Sequence, residues 1–156
     1  MATKKMAIIA TKGALDMAYP PLILASTAAA LGWEVQIFFT FYGLQLLRKD
    51  LSGIAISPLA NPAMPMPVPM PVIVSVLPGM EAMATSMMKA KMKKKGVASL
   101  EELRSLCQEA DVKFIACQMT VDLFEFSKSD FIDGVEYGGA AMFMKFAGET
   151  DVCLFI

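Results

Sequence analysis

Histidine is absent from all 156 residues of this chain. Its absence excludes Ser-His-Asp triads, Cys-His dyads, histidine metal centres and histidine proton shuttles. Any reaction must therefore use cysteine, carboxylate, hydroxyl, lysine or backbone groups. A glycine-rich phosphate loop is also missing, because Thr11-Lys12-Gly13 has one glycine and no Gly-Lys-Ser/Thr ending.

The chain has no excess of either charge. Lysine and arginine number 14 and aspartate and glutamate 15, which gives a formal net charge of −1. A protein that binds duplex nucleic acid normally carries a basic surplus, so no nucleic-acid partner is expected. Hydrophobic residues make up 56% of the chain, which excludes disorder as the overall description.

Cysteine is scarce, with three residues at Cys107, Cys117 and Cys153. The number is odd and the spacing is long, so a secreted disulfide framework is not indicated, and a reducing cytoplasm fits better. Neither a CxxC redox pair nor the paired CxxC motif of a zinc site occurs, and we expect no metal and no organic cofactor. Residues 1–10 also lack the long apolar stretch and the cleavage site of a signal peptide.

The stretch most like a membrane span, residues 54–80, is interrupted by proline. Each proline removes a helical hydrogen-bond donor, so a continuous spanning helix is not predicted there. The seven are Pro58, Pro62, Pro65, Pro67, Pro69, Pro71 and Pro78. The apolar surplus is expected instead in a core and in an interface between subunits.

What the sequence does contain is a strand–helix alternation. Four apolar runs, residues 6–10, 35–39, 113–117 and 152–156, lack polar alternation, which is typical of parallel strands covered on both faces. Helices are predicted over 15–31, 99–110, 120–126 and 138–148, with Pro20 and Pro21 expected to kink the first or to mark its first turn. We predict one three-layer α/β/α domain with a mostly parallel sheet over residues 1–156, with 54–80 as an insert.

The insert and its flank have an unusual composition. Residues 61–71 alternate methionine with proline and are expected to be extended. Residues 72–77 are rich in β-branched side chains, which predicts a further strand. A helix over 80–95 should place Met80, Met83, Ala84 and Met87 on one face. It ends in five lysines, Lys89, Lys91, Lys93, Lys94 and Lys95. They either complement the helix dipole or form a docking surface for an acidic partner or an anionic lipid.

Sites in open parallel sheets form beyond the carboxyl ends of the strands. There the strands deliver three groups of residues: Thr11, Lys12 and Gly13 from the first, Thr40, Phe41, Tyr42 and Gly43 from the second, and Cys117, Gln118, Met119 and Thr120 from the third. A cysteine between a strand and the next helix gains amide donors and the helix dipole, which stabilise its thiolate. Ordinary packing of a buried thiol is the alternative for Cys117 and the preferred interpretation for Cys107 and Cys153.

Three stretches together resemble the DsrE/DsrF-like sulfur-relay family, in its longer branch with a Met/Pro-rich insert. They are TKGALDMAYP at 11–20 with FFTFYGL at 38–44, MPMP at 64–67 with LPGM at 77–80, and ACQMTVDL at 116–123. The resemblance implies a three-layer α/β/α fold, homo-oligomers, and a cysteine, here Cys117, that accepts and passes on persulfide sulfur. It further implies a TusA-like sulfur carrier or a rhodanese as partner.

Three functions are weighed in order. The first is a cytoplasmic sulfurtransferase or sulfur carrier, with Cys117 holding sulfane sulfur behind apolar walls from Phe41, Tyr42 and Met119. The second is a non-catalytic oligomeric scaffold that docks partners through its Met-rich segments. The third is a thiol peroxidase, against which the lack of a resolving cysteine or an arginine near Cys117 counts. Peripheral contact with a membrane is compatible with each.

Overall fold

A computed structural model describes residues 2–58, 61, 63, 65, 67–68 and 70–156. The extended conformation expected for 61–71 therefore falls in part outside the described residues.

The centre of the fold is a five-stranded sheet. Its strands are β1 (Lys5–Ala10), β2 (Glu34–Phe39), β3 (Lys113–Cys117), β4 (Val135–Gly138) and β5 (Val152–Phe155). They lie in the order β4-β3-β2-β1-β5, and every pair is parallel. The four predicted strands and the parallel sheet are confirmed.

Strand β4 was not predicted. It contains Glu136 and is partly exposed along its length, so it lacks the continuous apolar run by which the other strands were recognised. It lies at the sheet edge beside β3, where Cys117 is in register with Gly138.

Within the described residues, six α-helices connect or flank the strands. They are α1 (Leu15–Ala30), α2 (Val72–Ser75), α3 (Met80–Lys94), α4 (Leu100–Glu109), α5 (Gln118–Leu123) and α6 (Ala140–Ala147), with 3-10 helices at Phe41–Leu47 and Lys128–Asp130. Helix α4 begins with a full capping box: the Glu102 amide donates to Ser99 Oγ at 3.1 Å, and the Ser99 amide donates to the Glu102 carboxylate at 2.7 Å.

Two local expectations are corrected. Helix α1 begins at Leu15 and continues through Pro20 and Pro21, so the prolines do not mark its first turn. Burial of one face of α1 against the sheet compensates for the missing amide donors. Residues 72–77 are not a strand, because 72–75 form helix α2, whose side chains are not buried. A β-branched run becomes a strand only where a neighbouring strand accepts it.

Helices cover both faces of the sheet. One face, with Ile8, Ile37 and Phe114, packs against α1 and α4 in the larger core. The other face, with Phe38, Ile115 and Cys117, packs against Phe143 and Ala147 of α6 in a smaller cluster. The three-layer prediction is confirmed, and Cys117 belongs to the thinner layer.

Helix α3 confirms the helix predicted over 80–95, and it carries methionines on two faces. Thr85 is buried, and Met88 and Met92 pack against the larger core, whereas Met83 and Met87 face solvent. Over the ranges described above, the structure contains no helix with the length and apolar character needed to span a membrane.

Candidate functional site

The candidate site lies where β2 and β3 end side by side. Phe39 is in register with Ala116, so the next residues, Thr40 and Cys117, leave the sheet at the same edge. Cys117 is the last residue of β3 and the N-cap of α5. Its side chain therefore stands at the start of a helix, as the sequence indicated.

A fully buried hydroxyl, that of Thr120, joins the two strand ends. Its Oγ1 lies 3.2 Å from Thr40 Oγ1 and accepts a hydrogen bond from the Phe41 amide at 3.3 Å. Thr120 has no solvent-accessible surface. Either hydroxyl can be the donor in the Thr40–Thr120 pair, and Cys117 lies three residues before Thr120, at the N-cap of α5.

The backbone at Phe41 is held in an unusual conformation. Its φ of 48° lies in the left-handed region that non-glycine residues rarely adopt. The hydrogen bond from its amide to Thr120 helps to hold this geometry. Such strain is concentrated at functional positions in proteins, which adds weight to this sheet edge as the site.

The environment of Cys117 favours its thiolate. Burial alone would raise the pKa of the Cys117 thiol, but donors from Thr120 (hydroxyl and amide), Thr40 (hydroxyl) and Met119 (amide) outweigh burial and lower the pKa below its ordinary value. The side chain is only 5% exposed. The sulfur therefore sits in a nearly enclosed position that supports negative charge.

Cys107 differs from Cys117 in its surroundings. It is completely buried in α4, its Sγ donates to the Leu22 carbonyl at 3.4 Å, and burial raises its pKa to about 11. It is a packed thiol, as predicted. Cys153 was expected to be packed as well, but its side chain is exposed on β5, the edge strand of the sheet next to β1.

Below the strand ends, Cys117 contacts the layer formed by α6. Phe38 and Phe143 stack there with ring centroids 4.9 Å apart. Gly138, in register with Cys117, is covered by the Met142 side chain, whose Sδ would lie 2.5 Å from an added Cβ. A flexible thioether therefore lies beside the strand pair that carries Cys117.

Above the strand ends, the apolar residues expected to wall the site are largely in solvent. Phe41 is 44% exposed, Tyr42 65% and Met119 60%. Phe124 supports this group, since its ring stacks with that of Tyr42 at 6.0 Å and meets Phe41 edge-on. They form an open apolar rim rather than closed walls, because nothing in the described chain packs over them.

The remaining predicted site residues occupy less central positions. Gln118 donates from its amide nitrogen to the Asp122 carboxylate at 2.8 Å. Gly13 lies against the backbone of the 3-10 helix, where an added Cβ would be 2.6 Å from the Tyr42 carbonyl oxygen. Thr11 donates from its hydroxyl to the Ile156 carbonyl at 3.0 Å, on the far side of β1. Thr11 therefore lies among the carboxyl ends of β1 and β5 rather than those of β2 and β3.

Sequence reasoning placed Thr120 at the end of the third strand but gave it no role in the site. The usable signal was its spacing, since Thr120 is the third residue of α5 and therefore lies in the helical turn that directly follows the Cys117 N-cap. Met142 had no comparable signal, because its placement depends on the unpredicted strand β4. Among the described residues, no three histidine, cysteine or carboxylate side chains are grouped to hold a metal ion.

Known proteins match this chain along its whole length. Residues 2–155 match the sequence model of the DsrE/DsrF/DrsH-like family. The chain is 68% identical to "Sulfur carrier protein DsrE2" of Allochromatium vinosum, over all of both chains. It is 33% identical to "Uncharacterized protein YrkE" of Bacillus subtilis, over 99% of this chain and 98% of that one.

A solved structure matches the fold. The crystal structure of the ychN protein from E. coli aligns over 99% of this chain and 100% of its own, with a TM-score of 0.56 and 13% identity. At this identity the likeness concerns the fold alone.

Proposed function

This chain belongs to the DsrE/DsrF/DrsH-like family, as its motifs predicted, and we propose that it is a cytoplasmic sulfur carrier that holds sulfane sulfur as a persulfide on Cys117. The relative from Allochromatium vinosum is named a sulfur carrier protein and is similar over its full length. Cytoplasmic location, persulfide chemistry and the role of Cys117 are parts of this proposal.

One observation carries the proposal: the Cys117 sulfur lies at the N-cap of α5 among donors from Thr40, Met119 and Thr120 that lower its pKa. The thiolate is the form of cysteine that attacks sulfur, so a lowered pKa increases the reactive fraction near neutral pH. The same donors stabilise the anion that remains when the sulfur is passed on.

The transfer is an exchange without net oxidation. The Cys117 thiolate attacks the outer sulfur of a donor persulfide, R–S–SH. The new bond joins Sγ to that sulfur, the donor's S–S bond breaks, and its electron pair leaves as the thiolate R–S⁻. An acceptor thiolate then attacks the outer sulfur of Cys117–S–SH and releases the Cys117 thiolate.

The partner is proposed to dock on the exposed apolar rim. The rim consists of Phe41, Tyr42 and Met119, which lie around the strand ends. Tyr42 and Met119 are more than half exposed, and Phe41 is 44% exposed. Apolar and aromatic side chains are enriched in the cores of protein interfaces. We infer a small TusA-like sulfur carrier or a rhodanese as donor or acceptor, with its own cysteine reaching Cys117 between these side chains.

We also propose that copies of the chain associate through the face covered by α6. One helix of eight residues leaves apolar side chains of α6 and of the edge strand β5 in solvent. Phe155 is 72% exposed, Met144 59% and Met142 43%. A second copy would cover them and complete the layer.

Mass spectrometry of the intact protein tests the carrier role. The protein is incubated with polysulfide or with a loaded persulfide donor, in a Cys153→Ser background that removes the exposed thiol. We expect a gain of about 32 Da, one sulfur atom, that is removed by a reducing thiol. Cys117→Ser should abolish the gain, and Cys107→Ser should preserve it.

The opposite result is equally informative. A folded Cys117→Ser protein that still gains sulfur, or a wild-type protein that gains none from either donor, would overturn the proposal. The second result would favour the oligomeric scaffold, whose function does not need the thiol.

A further inference from the structure

A cavity of about 490 Å³ lies between the second half of α3 and the first turn of α4. We call it the α3–α4 cavity. Its floor is apolar and consists of buried side chains of the larger core, among them Leu15, Tyr19, Leu51 and Leu100. Cavities of this size that combine an apolar floor with a few polar groups are the usual form of small-molecule sites.

The two walls of the cavity are anchored separately. The α3 wall is held where Thr85 Oγ1 accepts a hydrogen bond from the Ile56 amide at 3.0 Å and where Met92 packs against the larger core. The turn that leads into α4 is held by α1, because the Tyr19 hydroxyl donates to the Ala98 carbonyl at 3.0 Å. These contacts fix both walls and leave the space between them open to a ligand.

The walls carry opposite charges. On the α3 wall Lys89 and Lys93 lie one helical turn apart, and Glu101 and Glu102 lie in the first turn of α4. Among the described residues every salt bridge involves Lys5, so the two pairs line the same cavity without forming an ion pair. Each wall is therefore available to a charged group of a ligand.

Glu101 is the carboxylate that a ligand would meet. Glu102 is engaged in the capping box, where it accepts from the Ser99 amide at 2.7 Å. Glu101 takes no part in that box and its side chain is exposed on the α4 wall. Burial, and after it the charges of Glu101 and Glu102, raise the pKa of the Tyr19 phenol. The negative charge of this wall thus reaches the floor of the cavity.

We propose that the α3–α4 cavity binds short apolar peptides as zwitterions, with the ammonium end at Glu101 and the carboxylate end at Lys89 and Lys93. The apolar side chains would cover the floor. A single amino acid carries both charges on one carbon, whereas these charged walls belong to different helices. A peptide of two or three residues separates its charges, because each residue adds about 3.5 Å. Ser52 and Ser99 supply hydroxyl groups on the lining for its amides.

The charge pattern disfavours simpler occupants. An anion bound at the lysines would also face Glu101, and a cation bound at Glu101 would also face the lysines, and like charges at close range oppose binding. The cavity floor belongs to the larger core, whereas Cys117 belongs to the smaller cluster on the other face of the sheet. The proposal therefore stands or falls separately from the sulfur-carrier role.

Isothermal titration calorimetry of the full chain tests the proposal, with the dipeptide Leu-Leu as the probe. N-acetyl-Leu-Leu lacks the ammonium group, Leu-Leu amide lacks the carboxylate, and Gly-Gly lacks the apolar side chains. We expect Leu-Leu to bind, and blocking either end should weaken binding roughly threefold to tenfold, as expected for ion pairs at a partly exposed surface. Gly-Gly should bind at least about tenfold more weakly, because it leaves the floor uncovered.

Two variants assign the ends of the peptide. Glu101→Gln should weaken the binding of Leu-Leu as much as N-acetylation does, and it should not change the affinity for N-acetyl-Leu-Leu. Lys89→Gln with Lys93→Gln should act in the same way on the carboxylate end, with Leu-Leu amide as the insensitive ligand. The matched controls alter exposed residues outside the cavity: Glu109→Gln, and Lys49→Gln with Lys113→Gln. The controls and Cys117→Ser should bind as wild type does.

Any of three results would overturn the proposal. These are no binding of Leu-Leu, equal affinity for Leu-Leu and both of its blocked forms, or binding by the two cavity variants as strong as that of their controls. If N-acetylation has no effect and only the lysine variant loses affinity, the cavity is instead a site for apolar anions.

Discussion

The hydroxyl oxygens of Thr40 and Thr120 lie 3.2 Å apart, although 80 positions separate them in the chain. Thr120 also accepts from the Phe41 amide. Both hydroxyl groups also act on the neighbouring Cys117 thiol and lower its pKa. The end of β2 thus stabilises a thiolate that belongs to β3.

Thr120→Val should make Cys117 a weaker nucleophile near neutral pH. The valine fills the same volume but removes the hydroxyl donor, so the pKa of the thiol should rise. A hydrogen bond to a charged group contributes about 1.5 kcal/mol or more, equivalent to about one pKa unit or a tenfold slower alkylation. The measurement is the alkylation rate against pH by mass spectrometry, in Cys153→Ser protein.

Thr27→Val is the matched control for this variant, because Thr27 is exposed on α1, far along the chain from the site. Its alkylation profile should overlie that of the parent. A Thr120→Val profile that also overlies the parent would show that the hydroxyl does not act on the thiol.

Thr40→Val should also raise the pKa of the Cys117 thiol. In the double variant with Thr120→Val, the pKa should rise by less than the sum of the two single shifts. Because Thr40 and Thr120 share one hydrogen bond, the shifts of the two single variants should not add in Thr40→Val/Thr120→Val. The same alkylation profiles measure this coupling. Thr40→Ser, which keeps the hydroxyl, should restore the parent profile, and strictly additive shifts would contradict the network.

Cys107 should make the fold less stable at alkaline pH. Burial raises its pKa in the folded protein to about 11 from an ordinary 9.0. The unfolded chain therefore loses the proton first, and stability present below pH 9.0 should decline as the pH rises towards 11. The loss should approach about 3 kcal/mol.

Urea unfolding across that pH range measures the effect. Lysine and tyrosine side chains also titrate there, so Cys107→Ala provides the reference, with lower stability throughout but a flatter dependence on pH. Equal pH dependence in the two proteins would show that Cys107 is not the group responsible.

Gly13→Ala should destabilise the edge of the sheet that carries the site. The new Cβ would lie 2.6 Å from the Tyr42 carbonyl oxygen, which is backbone and cannot move alone. We expect a loss of about 1–3 kcal/mol in the free energy of unfolding, measured in urea. Gly53→Ala is the control, since no atom lies within 4 Å of its added Cβ, and it should be nearly neutral.

Phe155→Glu should shift the chain towards a smaller assembly. A charged side chain cannot be buried without a partner, so an interface that covers Phe155 would lose affinity. Light scattering after size-exclusion chromatography measures the mass. Leu31→Glu, at a residue 69% exposed elsewhere, should leave the mass unchanged, and a Phe155→Glu protein of parental mass would count against this face as the contact.

Much of the fold was predictable because its signals are local. Continuous apolar runs indicated β1, β2, β3 and β5, and Ser99 followed by Glu102 indicated the start of α4. The same local logic placed Cys117 between a strand and a helix. A strand that is buried on both faces consists of apolar residues, which the composition shows directly. A capping box joins two residues that are only three positions apart.

The failures share a different cause. Strand β4 has little apolar character of its own and becomes a strand by pairing with β3. Residues 72–77 have strand-forming side chains but no strand beside them, so they begin a helix.

The sequence by itself determined that histidine is not available for any reaction, that the chain forms a parallel α/β sheet, and that Cys117 stands at a strand–helix boundary. Only the tertiary structure decided that Thr40 and Thr120 meet beside that thiol, that Cys153 is exposed, and that the lysine-rich helix turns an apolar face to solvent. Strand order and layer coverage set these three outcomes, and both arise from contacts between residues far apart in the chain.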